Sequence, residues 1–286
     1  MIMPCVPSAR TWQPDRRRRK LISPIPSTRS ETMSRTIGFI GSGMIGGTVA
    51  RLAVAAGYDV VLSNSRDPRT LDDLVADLGP RARAATAAEA ARTADLVVAA
   101  IPLTAFRTLP VADLAGRIVL DTANYYPERD GHLPELDTAA LTSSALLQRT
   151  LPGSRVVKAF NTITPHQLAT LARPTDAPDR SALPLAADDP AALFEVTAFL
   201  DRIGYDAVEA GPLADSWRME PGTPAYVEPY LGPIPAVDVA EFLTWTYNTP
   251  GLVIPRTRLR DLLDGATRQC PADTRFPSAN QPVVKP

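Results

Sequence analysis

The sequence has few of the residues on which thiol, imidazole and metal chemistry depend. It contains two cysteines, Cys5 and Cys270, near opposite ends of the chain, and two histidines, His132 and His166. This set provides neither a disulfide framework nor a spaced group of metal ligands, so we predict no metal site. Scarce, unpaired cysteine is typical of a reducing compartment, and the sequence therefore predicts a cytoplasmic protein.

An excess of charge of one sign and long apolar runs are also missing. The 30 basic and 31 acidic residues leave a formal net charge of −1. A chain so close to neutrality has no strong electrostatic attraction for nucleic acid or for an anionic membrane. No apolar run approaches the roughly 20 residues that a membrane-spanning helix needs. We therefore expect neither nucleic acid nor a membrane as a partner.

Lysine is rare, because all basic residues except Lys20, Lys158 and Lys285 are arginines. This bias, together with the abundance of alanine and proline, is typical of a GC-rich bacterial genome.

Residues 1–33 contain five prolines and the basic run 16–20, but no apolar stretch of the length that an export signal requires. We predict a disordered leader there and exclude it from the fold.

Short β-branched runs alternate with helical patterns from residue 35 to about residue 208, which predicts a parallel, doubly wound α/β sheet. The predicted strands cover residues 36–40, 58–62, 81–84, 96–101, 118–121, 155–159, 183–186 and 206–209. The predicted helices of this region cover residues 44–56, 68–78, 87–92 and 190–203. We assign residues 34–220 to one domain, whose C-terminal part is a small βαβ unit.

Residues 221–286 hold eleven prolines and form a proline-rich extension. Its helical candidates are residues 237–246 and, less regularly, 258–266. We predict that the last twenty residues are disordered. Such an extension cannot form a large, all-helical second domain.

A glycine-rich motif gives the first indication of function. Gly41, Gly43 and Gly46 follow the first strand, open the first helix and precede a second strand by about the spacing of a dinucleotide-binding unit. Gly41 permits a tight turn, Gly43 lets the pyrophosphate approach the backbone, and Gly46 lets helix and strand pack closely. The motif, with Ser42, Met44 and Ile45 between its glycines, predicts a Rossmann NAD(P)-binding fold.

The residues after the second strand select the cofactor. An NAD enzyme places a carboxylate there to bind the ribose 2′-hydroxyl. This chain instead has Ser65 and Arg66, with Arg69 nearby, and hydroxyl and guanidinium groups suit a 2′-phosphate. Asp67 could serve as the NAD carboxylate if the loop were shifted by two residues. The pattern favours NADP(H).

Polar residues near the ends of later strands are candidates for chemistry. Ile101 and Pro102 close the fourth strand and provide an apolar wall beside the nicotinamide. The stretches 121–126 and 157–162 contain polar groups that could orient an acceptor. Lys158, Asn161 and His166 are the candidate catalytic residues, although Lys158 could equally form a structural ion pair and His166 could face solvent. No catalytic triad or dyad is evident.

Three motifs together resemble the NADP oxidoreductases that depend on the deazaflavin coenzyme F420. These motifs are residues 41–46 with 64–66, residues 156–161, and residues 211–217. The pattern is also similar to the cytosolic reductase domain of six-transmembrane metalloreductases. The resemblance implies that Ser65 and Arg66 bind the 2′-phosphate of NADP, and that residues 41–46 bind its pyrophosphate. It further implies hydride transfer between NADPH and a flavin-like ring in a homodimer.

Two parts of the chain depart from that family. They are the loop at residues 173–182 and everything after residue 221, and residues 217–226 are expected to close over the substrate. The acceptor could therefore be another ring or a small carbonyl or imine. We retain two alternatives: an imine or 2-hydroxyacid reductase, and a non-catalytic NADP-binding redox sensor.

Overall fold

A sheet of eight strands forms the centre of the part of the chain that the computed structural model describes, residues 35–235 and 239–271. The strands are β1 (Thr36–Ile40), β2 (Asp59–Ser63), β3 (Ala82–Ala84), β4 (Leu96–Ala99), β5 (Ile118–Asp121), β6 (Arg155–Lys158), β7 (Ala182–Ala187) and β8 (Asp206–Gly211). Their spatial order is β3-β2-β1-β4-β5-β6-β7-β8. The strands are added on one side of β1 up to β3 and on its other side from β4 onwards, as in a doubly wound sheet. The predicted α/β fold class is confirmed. The predicted leader, and residues 272–286 of the predicted tail, lie outside the described residues.

Helices cover both faces of the sheet, which explains why its central strands are continuously apolar. The α-helices of the described chain are α1 (Met44–Ala55), α2 (Asp72–Leu78), α3 (Ala87–Thr93), α4 (Val111–Leu114), α5 (Pro127–Asp130), α6 (Pro134–Asp137), α7 (Ser143–Thr150), α8 (Pro165–Thr170), α9 (Pro190–Arg202), α10 (Glu228–Leu231), α11 (Val239–Asn248) and α12 (Arg256–Asp264). None of them is long and apolar enough to cross a membrane.

The core is divided by the sheet into two layers. Phe39, Leu62 and Leu120 belong to the layer that also contains buried residues of α1, α8 and α9. Val97 and Val119 point the other way, into the layer that contains residues of α7 and of the segment 103–109. Successive side chains of a strand alternate between faces, so this division follows from the pleat.

One strand pairing differs from the predicted parallel sheet. β7 is antiparallel to β6, and β8 is parallel to β7. The chain leaves β6 at its carboxyl end and reaches β7 through α8, which has six residues. The 23 residues between β6 and β7 do not return the chain to the opposite edge of the sheet. The following strand therefore starts beside the end of β6 and runs backwards.

The extension packs on this reversed part of the sheet. Tyr230 of α10 is buried, and its hydroxyl donates to the carbonyl oxygen of Ala182 at 2.9 Å. Leu259 and Leu263 of α12 are buried in the same apolar layer as β7 and β8. Burial of these large side chains holds α10 and α12 against the sheet. The Val227 N–H donates to the carbonyl oxygen of Thr162, which places the segment before α10 next to the end of β6.

Candidate functional site

The glycine-rich loop is shaped by contacts too close for any side chain. Gly41 has φ of +97°, and a Cβ there would lie 2.2 Å from the carbonyl oxygen of Ala100. A Cβ on Gly46 would lie 2.1 Å from the carbonyl oxygen of Gly41. Both glycines are therefore required by the protein's own packing between β1, α1 and the end of β4.

Gly43 differs, because a Cβ there would meet no atom within 4 Å. It is the N-cap of α1, and no side chain caps the start of this twelve-residue helix. The first N–H groups of the helix therefore lie beside open space. A helix N-terminus with accessible backbone is a favourable site for phosphate. The open space at Gly43 fits a bound pyrophosphate, and the predicted binding residues 41–46 surround it.

The loop after β2 holds Arg66 beside this site. Asn64 Oδ1 accepts a hydrogen bond from the Arg66 backbone N–H at 2.9 Å, and Asn64 Nδ2 donates to Thr70 Oγ1 at 2.9 Å. Within the described chain, the Arg66 guanidinium is exposed and has neither an ion pair nor a hydrogen bond. This leaves its donors available for a phosphate.

Arg69 and Asp67 are already engaged with each other. Asp67 accepts from the Arg69 backbone N–H at 2.9 Å and from Arg69 Nε at 3.1 Å. These hydrogen bonds lower the pKa of Asp67. Asp67 also caps the short 3₁₀ helix 68–71, which fixes it in the loop. Arg66 and Ser65 are therefore better placed than Arg69 for the role that the sequence predicted.

A cleft of about 340 Å³ begins at the glycine-rich loop and runs along the carboxyl ends of β4, β5 and β6. Its walls come from α1, from the ends of β4, β5 and β6, and from the extension; they include Gly43, Met44, Ile45, Ala100, Ile101, Pro102, Thr122, Ala123, Asn124, Tyr126, Arg129, Phe160, Asn161, Ile163, Thr164, Pro165, Tyr226, Val227, Phe242 and Leu243. The predicted wall of Ile101 and Pro102 is part of it. Ligands bind at this edge in doubly wound sheets.

Lys158 does not line the cleft. Its side chain is 0% exposed and its Nζ donates to Asp121 Oδ2 at 3.3 Å, to Ser143 Oγ at 2.8 Å and to the carbonyl oxygen of Ala123. All three protons of the ammonium group thus have partners. Ser143 in turn donates through its backbone N–H and its hydroxyl to Glu220 Oε1, at 3.0 and 2.7 Å. Lys158 therefore forms a buried ion pair, the alternative to a catalytic role that was inferred from the sequence.

The other two candidates are placed differently from each other. His166 is in the first turn of α8 and packs on Tyr247, with ring centroids 5.4 Å apart, and it is not among the residues that line the cleft. Asn161 lines the cleft and is 4% exposed. Of the three catalytic candidates named from the sequence, Asn161 alone lines the cleft.

Two tyrosines that were not predicted as site residues meet in the cleft. The hydroxyl groups of Tyr126 and Tyr226 share a short hydrogen bond, and Asn124 Nδ2 donates to Tyr226 Oη at 3.4 Å. The guanidinium of Arg129 lies 5.0 Å from the centre of the Tyr126 ring. Residues 121–126 and 217–226 were noted as polar or covering stretches, but their meeting depends on a long-range contact that has no local sequence signal.

Burial determines the ionisation of this pair. It raises the pKa of Tyr126 to about 12, although the hydrogen bond with Tyr226 and the charge of Arg129 act in the opposite direction. Burial also raises the pKa of Tyr226 well above its ordinary value, and the neighbouring Tyr126 adds to that effect. Both phenols are therefore neutral near pH 7 and act as hydrogen-bonding groups, not as ready proton donors.

The sheet order and the glycine-rich loop define a NAD(P)-binding fold of the Rossmann type. Residues 36–125 match the family model described as NADP oxidoreductase, coenzyme F420-dependent. The resemblance predicted from the sequence is confirmed for this part of the chain. The family is one of NADP-dependent oxidoreductases.

Two solved structures are similar to a larger part of the chain. A hypothetical protein from Sinorhizobium meliloti is 26% identical with a TM-score of 0.60, and the match covers 69% of this chain and 95% of that one. A provisionally assigned F420-dependent NADP reductase from Arthrobacter sp. FB24 is 26% identical with a TM-score of 0.51, over 62% of this chain and 85% of that one. No curated protein matches the chain.

We predict opposite effects of an alanine substitution at Gly43 and at Gly46, the two glycines at the start of α1. Gly43→Ala should leave thermal stability close to that of the wild type, because its Cβ meets open space. It should weaken NADPH binding by about tenfold or more, because the methyl group excludes the pyrophosphate. Gly46→Ala should instead destabilise the fold by about 1–3 kcal/mol. Thermal unfolding and NADPH titration measure both effects, and normal NADPH affinity in Gly43→Ala would contradict the assignment.

The ion pair of Lys158 predicts a large effect on stability. Lys158→Met should lower the free energy of unfolding by about 3–5 kcal/mol, since it leaves the carboxylate of Asp121 buried without its cation. The matched control is Arg149→Met, which removes an exposed pair with Glu135 and should leave the denaturation midpoint close to that of the wild type. Urea denaturation measures both. Wild-type stability combined with lost turnover in Lys158→Met would indicate a chemical role instead.

Proposed function

We propose that this protein is an NADP(H)-dependent oxidoreductase that transfers a hydride between NADPH and a flat ring acceptor of the flavin or deazaflavin class, such as coenzyme F420. The observation that carries the proposal is the continuous cleft from the glycine-rich loop to the ends of β5 and β6. It has room for a second ligand beside the nicotinamide end of a dinucleotide bound at residues 41–46. When bound, NADPH supplies the hydride.

The residues of the cleft suit a reaction that needs little proton transfer from the protein. Ile101, Pro102, Phe160 and Ile163 give it apolar walls, which exclude water from the space between two rings. The protein's contribution would be to hold two ligands at reacting distance and in the correct orientation. A flavin-like ring can accept a hydride and delocalise the resulting charge without an acidic group at the transfer site.

Reduction of a small carbonyl or imine places a different demand on the protein. It is assisted by a group that releases a proton near neutral pH. Lys158 is enclosed behind β5 and β6, and burial raises the pKa of both cleft phenols. The match of residues 36–125 to a family described as coenzyme F420-dependent also supports a ring acceptor. These observations favour hydride transfer to a ring over the imine or 2-hydroxyacid reaction.

The direct test is anaerobic oxidation of NADPH, followed at 340 nm, with coenzyme F420, FMN, FAD and a panel of small carbonyls and imines. We expect turnover with at least one ring acceptor and little with the panel. Turnover confined to a carbonyl or imine would reject the ring acceptor. Tight NADPH binding without turnover of any acceptor would favour the redox sensor instead.

Arg66 should decide between the two nicotinamide dinucleotides. Arg66→Ala should raise the Kd for NADPH by roughly 10- to 100-fold, because charge-assisted hydrogen bonds to the 2′-phosphate are lost. The Kd for NADH, which has no such phosphate, should change by less than about twofold. The control Arg69→Ala removes a guanidinium that is already paired with Asp67 and should have the smaller effect. Fluorescence titration of both cofactors measures this, and equal losses for NADPH and NADH would contradict it.

A further inference from the structure

The polar groups of the cleft lie beyond the place of the nicotinamide. In the sheet order β2-β1-β4-β5-β6, the loop after β2 carries Arg66 and the loop after β1 carries the glycine motif. A dinucleotide bound across the switch point thus extends from the end of β2 towards the end of β4. Asn124 follows β5 and Asn161 follows β6, further along the same edge. These side chains therefore border the acceptor.

Asn161 has a buried oxygen without a partner. Its Nδ2 donates to the carbonyl oxygen of Met219 at 2.6 Å and to Asn124 Oδ1 at 3.0 Å. The carbonyl of Met219 can only accept, so the orientation of the amide is fixed. Asn161 Oδ1 then has no hydrogen-bond partner within the described chain. A buried polar atom in this state costs free energy unless a ligand satisfies it.

Tyr226 is held beside this amide by an unusual backbone conformation. Val227 has φ of 57° and ψ of −59°, and the Glu228 N–H donates to the carbonyl oxygen of Tyr226 at 2.7 Å, which is a γ-turn. The Val227 N–H donates to the carbonyl oxygen of Thr162 at 2.9 Å. A β-branched residue rarely adopts positive φ, and such strain is concentrated at functional sites. The turn fixes Tyr226 to the segment that carries Asn161.

One side chain connects the two groups. Asn124 contacts Asn161 through its Oδ1 and Tyr226 through its Nδ2, at 3.0 and 3.4 Å. Asn161 Oδ1 can accept a hydrogen bond. Tyr226 can donate its proton when Tyr126 donates to the Tyr226 oxygen. Asn161 Oδ1, a buried neutral acceptor at the wall of the cleft, and the neutral hydroxyl of Tyr226 are thus connected through the amide of Asn124.

We propose that Asn161 Oδ1 and the hydroxyl of Tyr226 together recognise an N–H group and an adjacent carbonyl on the hydride acceptor. The N–H of the ligand donates to Asn161, and its carbonyl accepts from Tyr226. This inference rests on the proposed function, since it concerns the second ligand of the same cleft. It assigns acceptor specificity in part to the extension, which supplies Tyr226 and holds Asn161 through Met219.

The test compares two flavins that differ by one methyl group. Lumiflavin has an N–H between two carbonyls of its ring, and 3-methyllumiflavin has a methyl group on that nitrogen. Isothermal titration into the full-length protein saturated with NADP⁺ measures their affinities without any need for turnover. We expect 3-methyllumiflavin to bind about tenfold or more weakly, because Asn161 Oδ1 then faces a methyl group.

Variants separate hydrogen bonding from simple crowding. Asn161→Ala should reduce the ratio of the two affinities to about threefold or less, because the oxygen that distinguishes them is gone. Tyr226→Phe should weaken both flavins by a similar factor of about three to ten and leave their ratio unchanged. The matched control is Tyr247→Phe, which removes a hydroxyl from an exposed ring on α11 and should change neither affinity. If Asn161→Ala does not fold, the wild-type ratio and Tyr226→Phe still decide the question.

Each outcome bears on one claim or the other. Equal affinity of the two flavins in the wild type, or an unchanged ratio in Asn161→Ala, overturns the assignment of Asn161. If Asn161→Ala weakens the binding of NADP⁺ and not that of the flavins, Asn161 serves the nicotinamide carboxamide instead. If neither flavin binds to the wild type, the inference is also overturned. Discrimination without NADPH oxidation supports this site and rejects the proposed function, whereas turnover of both flavins with equal affinity does the reverse.

Discussion

The buried ion pair between Lys158 and Asp121 is the interaction on which the shape of the cleft depends. Each charge is completely buried, so each requires the other and the surrounding hydrogen bonds. Lys158 reaches the carbonyl oxygen of Ala123 and the hydroxyl of Ser143, and Ser143 binds the carboxylate of Glu220. One ammonium group thus connects the ends of β5 and β6 with the segment that leads into the extension. A second polar anchor of this segment is the hydrogen bond from Asn161 Nδ2 to the carbonyl oxygen of Met219.

The extension completes the site because it is attached at several points. Asn161 holds the carbonyl of Met219, the N–H of Val227 binds Thr162, and Tyr230 binds Ala182. These bonds place Tyr226 over the carboxyl ends of the strands, opposite the glycine-rich loop. The sheet supplies the cofactor half of the cleft, and the extension supplies much of the wall on the acceptor half. This division explains how a chain can resemble a family over residues 36–125 and still have its own surface for a second ligand.

The site also combines burial with electrical neutrality. The charge of Lys158 is compensated behind the cleft, and the phenols inside it stay protonated because burial raises their pKa. Such an environment favours orientation and exclusion of water over proton transfer. The amides of Asn124 and Asn161 and the phenols of Tyr126 and Tyr226 are suited to recognition by hydrogen bonds.

Much of the fold follows from local pattern, and the exceptions have physical causes. The strands at 36–40 and 118–121 were predicted with their observed bounds, because apolar periodicity and flanking turn residues are local signals. The reversed direction of β7 was not predicted, since it depends on the path of the chain through the short helix α8. The predicted helix 68–78 is divided into a 3₁₀ turn and α2, because Asp67 caps the first turn around Pro68.

By itself, the sequence determined the α/β class and the glycine-rich loop, and it predicted Ser65 and Arg66 as the residues that select NADP(H). Each of these is encoded within one strand, turn and helix, where spacing alone sets the geometry. Only the tertiary structure decided that Lys158 is a buried structural cation, that His166 lies outside the cleft, and that Tyr126 meets Tyr226. Those residues are up to 100 positions apart, and their contact arises from packing of the extension on the sheet. No local pattern specifies which distant side chains such packing brings together.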